Sequence, residues 1–205
     1  ATNGGGLNRF DPEFERFEHF VHDDNNSHSL SHDRAITLLE DDRQRLWVGT
    51  QKGLDRFDWQ NQTFIHYSLD ADTSTDDGKP FVRALFSDSQ KNLWIGTMND
   101  GLIKFTPETG VSSLLVNNPL DPFSLSSNRV RAMVEDRSGI LWFGTRIGGV
   151  NKYNPATAHF VHYQLQPTQP EGLQDNTIWS LYEDDEGLIW IGSPFKGVSR
   201  LNPKT

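Results

Sequence analysis

The stretch EDRSGILWFGT at residues 135–145, followed by GGVNKYNP at 148–155, decides how this sequence folds. Asp136 is a turn opener, and Gly139 sits where the backbone must reverse. Leu141–Thr145 is a short apolar run of strand character. The same pattern returns as LWVGT at Leu46–Thr50, LWIGT at Leu93–Thr97 and IWIGS at Ile189–Ser193. The tryptophans Trp47, Trp94, Trp142 and Trp190 are 47, 48 and 48 residues apart. A fixed period of this size marks an array of one repeated unit.

The rest of the unit keeps the register. Six residues before each Trp stands an aspartate: Asp41, Asp88, Asp136 and Asp184. Three before it stands Gln44, Lys91, Gly139 or Gly187, and two after it Gly49, Gly96, Gly144 or Gly192. A Gly-apolar-x-basic-apolar segment follows at Gly53–Phe57, Gly101–Phe105, Gly149–Tyr153 and Gly197–Leu201. One further copy, Gly6–Phe10, lacks its preceding Trp, so the chain reads as starting inside one unit and ending inside another.

Each unit predicts four short strands. The first is apolar on both faces, as at Ala35–Leu39, Val82–Phe86, Val130–Val134 and Ile178–Tyr182. The second carries the Trp and the third the glycine segment. The fourth is Phe17–Phe20, Phe64–Tyr67 or Phe160–Tyr163, with a weaker version near Ser113–Val116. Four strands at this period mean β-propeller blades. A β-sandwich does not require a four-fold sequence repeat, and β-helix coils are much shorter. The expectation is an all-β propeller segment of about four blades and 17 strands, cut from a larger propeller. Its divisions are a partial blade at 1–28, blades at 29–75, 76–123 and 124–171, and a partial blade at 172–205.

Composition narrows the function. The net charge of −9, with no basic stripe, disfavours nucleic acid as a partner. No apolar run reaches the roughly 20 residues of a membrane helix, so no membrane contact is expected in this segment. The absence of cysteine removes disulfides, thiolate metal sites and a cysteine nucleophile. There is no initiator Met, which suggests a piece of a longer chain. No motif calls for a cofactor. Asp70–Gly78 is acidic, but Thr75 and Phe81 stand where a calcium loop needs Gly and Glu, so a solvated loop is expected there. His19, His66 and His162 share one repeat position near the end of strand four, which predicts surface residues and no metal site.

The unit resembles the two-component regulator propeller repeat, best at Glu135–Thr145 and Gly148–Pro155. The resemblance covers essentially the whole chain. It implies a sensor region of a bacterial hybrid two-component system, extracytoplasmic and hence periplasmic. It also implies that an immunoglobulin-like domain, a membrane helix and an output domain such as a kinase lie elsewhere in the full protein. Gln44 and Lys91 depart from the repeat's Gly and predict looser turns. The repeat residues themselves are scaffold: the four tryptophans are expected to be core, and the four aspartates to be turn caps.

Function is therefore sought where the units differ. The loops between strands two and three, and those entering strand one, reach one face around the central channel. They place Arg83, Arg131, Arg146, Trp179 and Lys196 there as a candidate ligand site. Forked guanidinium groups and an indole suit an acidic or hydroxyl-rich small molecule, or an oligosaccharide. The competing readings are a propeller lyase or glycosidase and a pure protein-interaction scaffold. The incomplete terminal blades also predict self-association of this segment.

Overall fold

The computed structural model describes residues 1–69, 78–169 and 171–203. It contains seventeen strands and no helix among them. The first sheet is the two-stranded ribbon β1 (Leu7–Asp11) and β2 (Arg16–Phe20). Three four-stranded antiparallel sheets follow in chain order. They are β3 (Ala35–Glu40), β4 (Leu46–Thr50), β5 (Gly53–Asp58) and β6 (Thr63–Tyr67); then β7 (Val82–Ser87), β8 (Leu93–Thr97), β9 (Leu102–Thr106) and β10 (Val111–Leu115); then β11 (Val130–Glu135), β12 (Leu141–Thr145), β13 (Val150–Asn154) and β14 (His159–Tyr163). The last sheet has β15 (Ser180–Glu183), β16 (Ile189–Ser193) and β17 (Gly197–Leu201). Each sheet is one blade with its strands in sequence order, an all-β propeller segment as the repeat predicts.

The tryptophan of strand two is the bolt between blades. Trp47 packs on Val82, Leu93, Ile95 and Phe105 of the next blade, and Trp94 on Val130, Leu141 and Phe143. Trp142 packs on Ile178, Ile189 and Ile191. All three rings are fully buried, but Trp190 remains 37% exposed. The expectation of burial fails for this one ring because, among the described residues, no further sheet packs on its outer face. The aspartate does more than cap a turn. Asp136 accepts the backbone N–H of Ser138 and Ile140, and its second oxygen accepts the Trp142 indole N–H at 2.8 Å. Asp41, Asp88 and Asp184 accept their own indoles at 2.8, 2.8 and 2.5 Å. The six-residue spacing is thus the length of a tight turn that brings a carboxylate under the indole of the returning strand.

Other repeat positions have similar reasons. The basic residue of strand three stands opposite the Trp, and Lys104, Lys152 and Arg200 place their cations over Trp94, Trp142 and Trp190. The glycine two residues after the Trp is where the next blade comes closest. A Cβ on Gly144 would lie 2.5 Å from the side chain of Ile178. Gln44 and Lys91 adopt left-handed backbone, with φ of 60° and 70°, beside Gly139 and Gly187 at 77° and 78°. Their turns therefore have the repeat's own geometry and are not looser. The glutamate before the aspartate joins blades: Glu135 accepts the Ser89 N–H and hydroxyl, and Glu183 the Arg137 N–H, each from the preceding blade's turn.

The ring stays open among the described residues. β17 pairs only with β16, and β1 and β2 pair only with each other. The ribbon does not supply the fourth strand of the last blade, so there is no closed four-blade ring.

Candidate ligand-recognition site

The site begins with a backbone irregularity that three blades share. Where strand one pairs with strand two, the register slips between Ala35 and Thr37, between Val82 and Ala84, and between Val130 and Ala132. The residue left over at each bulge is Ile36, Arg83 or Arg131. Trp179 holds the same repeat position just before β15, with its N–H bonded to the Gly192 carbonyl. A bulge turns one side chain out of the pleat and is a common way to aim a residue into a site. Two cavities of about 310 Å³ each open at these positions. Arg83 and Arg131 line both, Trp179 lines one, and Thr37, Met133 and Ser180 contribute to the other.

The electrostatics of this face are one-sided. Neither Arg83 nor Arg131 pairs with a carboxylate among the described residues. Their guanidinium groups lie over aromatic rings, Arg83 over Phe81 at 5.7 Å and Arg131 over Trp179 at 5.8 Å. The Nε of Arg83 is buried with no hydrogen-bond acceptor. Burial holds both side chains below the usual arginine pKa. Repulsion adds to this, from Arg34 and Arg146 on Arg83, and from Arg83, Arg146 and Arg129 on Arg131. The arginines at the loop ends are better satisfied. Arg34 donates to Asn3 and Gln51, and Arg129 to Asn99. Trp179 leaves 57% of its surface open.

Of the five residues named from the sequence, the fold brings Arg83, Arg131 and Trp179 to common cavities. Arg146 is exposed and acts on them through its charge. Lys196 is exposed on the β16–β17 turn and lines neither of these cavities. Phe81 and Arg34 are additions: Phe81 receives cations from both Arg34 and Arg83. Their signal was their place directly before strand one, where the chain enters the channel rim. Among the described residues, no carboxylate, histidine or tyrosine lines these two cavities.

His19 and His66 are exposed, as their repeat position predicts, and His66 and His162 at this position also make bonds. His66 joins Asp55 at 2.7 Å and the Ser27 carbonyl at 3.0 Å, and His162 joins the Ser124 carbonyl at 2.7 Å. They tie the fourth strand to the loop entering the same blade, and His162 is half-buried as a result. No cluster that could hold a metal occurs among the described residues. Of the acidic stretch Asp70–Gly78, residues 70–77 lie outside the described residues.

The two component regulator propeller model matches residues 29–52, 78–99, 124–146 and 172–195, one match at each Trp-bearing turn. This chain carries four two component regulator propeller repeats. Among solved structures, this regulator propeller is similar to an extracellular domain from B. thetaiotaomicron described as part of a one component system. The identity is 25% and the TM-score 0.79, over 96% of this chain and 25% of the other. An extracellular domain of a B. thetaiotaomicron protein described as a hybrid two component system matches with 21% identity and a TM-score of 0.78, over 100% and 25%. The Staphylococcus aureus virginiamycin B lyase shares the fold at 11% identity and a TM-score of 0.64, over 98% and 64%. The regulator propeller thus spans a quarter of the length of these two extracellular domains. No curated protein matches its sequence.

Proposed function

We propose that this regulator propeller is a ligand-recognition segment of a bacterial signalling receptor, lying in the periplasm. Its channel face receives an extracellular small molecule or oligosaccharide. The observation that carries this reading is the bulge position. Blade after blade repeats the same tryptophan, aspartate and glycine, yet this one inward-facing position is Ile36, Arg83, Arg131 and Trp179 in turn. Packing demands sameness of the framework, whereas recognition needs differences placed around one mouth. The extracellular domains of signalling systems that share the repeat support the receptor setting. Catalysis would need titratable groups close together at the site, and the two cavities offer guanidinium, hydroxyl and indole groups instead.

A thermal-shift screen of small molecules and oligosaccharides against the chain tests the reading. Stabilisation by a subset of ligands, recovered unchanged, is the expected result. Cleavage of a saccharide would support the enzyme reading, and a screen with no stabilising compound would support a scaffold.

A further inference from the structure

We infer, building on the recognition reading, that the group anchoring the ligand is an anion held across Arg83 and Arg131, with a flat part of the ligand against Trp179. Carboxylate, sulfate and phosphate share the needed chemistry.

The fold itself does not call for arginine at this position. The bulge of the first complete blade holds Ile36, and the matching repeat position of the last blade holds Trp179, so neither the bulge nor the blade needs arginine there. Two consecutive blades nevertheless place arginines at this position, and both line the same two cavities. The chain has 28 acidic against 19 basic residues, so carboxylates are plentiful. Arginines elsewhere use them: Arg45 pairs with Asp41 and Glu108, Arg43 with Glu108, and Arg137 with Asp185. Among the described residues, none reaches Arg83 or Arg131.

What remains is a set of guanidinium donors that repel one another and are partly withdrawn from water. Among the described residues, the buried Nε of Arg83 has no acceptor. An orphaned donor of this kind costs stability until something accepts from it. A planar oxyanion is the natural complement. It accepts two parallel N–H bonds from one guanidinium, or bridges two, and it cancels the repulsion between them. A neutral hydroxyl could accept one bond but would leave the repulsion in place. The aromatic partners strengthen the choice. Phe81 and Trp179 lie beneath the two cations without satisfying their N–H groups. They hold the forks in position for an incoming anion, and the open part of the Trp179 ring can take a sugar or ring face.

The test uses the chain as it stands and isothermal titration calorimetry. The probes are trigalacturonate, its fully methyl-esterified and therefore neutral form, inorganic sulfate and inorganic phosphate. The variant is Arg83→Ile with Arg131→Ile, which copies the first blade. Its melting temperature should equal or exceed that of the parent, because a like-charge contact is removed. At least one anion should bind, and its affinity should fall about ten-fold or more in the variant, the factor expected from losing a charge-assisted hydrogen bond. If trigalacturonate is that anion, the ester should show a similar loss. Binding by sulfate or phosphate alone keeps the anion and assigns it to a sulfated or phosphorylated ligand.

The inference is overturned if the ester binds as well as the acid, if the variant binds anions as well as the parent, or if none of the anions binds. Should the isoleucine pair fail to fold, Arg83→Gln with Arg131→Gln takes its place, and the comparison of acid with ester on the parent chain stands alone. A neutral compound from the thermal-shift screen that binds parent and variant equally sinks the anion inference but leaves recognition intact. A screen without any binding compound sinks both.

Discussion

Asp136→Ala removes the acceptor of three donors at once, and its cost can be worked from the geometry. Trp142 is fully buried, so its indole N–H has no water to turn to when the carboxylate is gone. A buried hydrogen bond to a charged acceptor is worth about 1.5–3 kcal/mol. The Ser138 and Ile140 amides lie in a half-exposed turn and regain water, so each loses about 0.5–1 kcal/mol. The sum is about 2.5–5 kcal/mol, large for a point mutant. The same change at Asp184 should cost far less, because Trp190 is 37% exposed and its indole can be hydrated. Urea denaturation of the two variants, extrapolated linearly, gives both numbers. A double-mutant cycle with Trp142→Phe should return a coupling of about 1.5–3 kcal/mol for the indole bond alone. Equal costs at Asp136 and Asp184, or a coupling near zero, would refute the bolt-and-acceptor account of the repeat.

Trp142→Ala should destabilise by about 3–5 kcal/mol through lost area and a cavity, and His162→Ala by about 1 kcal/mol through its bond to Ser124; chemical denaturation that ranks them the other way contradicts the core assignment. Acid should weaken the fold. Burial opposes ionisation of Asp41, but hydrogen bonds from Trp47, Arg45 and Arg43 outweigh it and hold its pKa below the ordinary 3.8. A depressed carboxylate contributes stability that is full above its unfolded pKa and lost as pH falls through the folded one, so thermal melts should be flat above about pH 5 and drop below about pH 4; unchanged melts down to pH 2 would contradict this. Self-association is expected at micromolar concentration, because Tyr182, Trp190 and Val198 on the last blade and Phe10 and Phe17 on the first ribbon are exposed. Light scattering that finds only a 23.3 kDa species would oppose it.

Much of this fold is legible in the sequence because each blade solves the same packing problem. The strand-two tryptophan, the glycine two residues later and the strand-three basic residue are fixed by neighbours that repeat, so they repeat too. The tight turn explains the aspartate, though its bond to the indole needs coordinates. Trp190 matches Trp142 in its letters, but its burial depends on what packs against it. The candidate site is less legible. Arg83, Arg131 and Trp179 share a repeat position in the sequence, yet only the bulge shows why that position faces the channel. Lys196 looked equivalent by loop membership, but a turn between strands two and three need not reach the cavities that strand one lines. His162 looked like a surface residue because its partner, the Ser124 carbonyl, lies 38 residues away.

The most direct test of the account is a spectrum of the chain labelled with 5-fluorotryptophan. Its six tryptophans divide into buried framework rings at Trp47, Trp94 and Trp142, exposed rings at Trp59 and Trp190, and the channel ring Trp179. Fluorine NMR during titration with a ligand that stabilises the chain, assigned with Trp179→Phe, reports on all six at once. Recognition at the channel face predicts a shift of the Trp179 signal that saturates with the ligand, while the three framework signals stay in place. A ligand that binds and moves Trp59 or Trp190 but leaves Trp179 unmoved would contradict it.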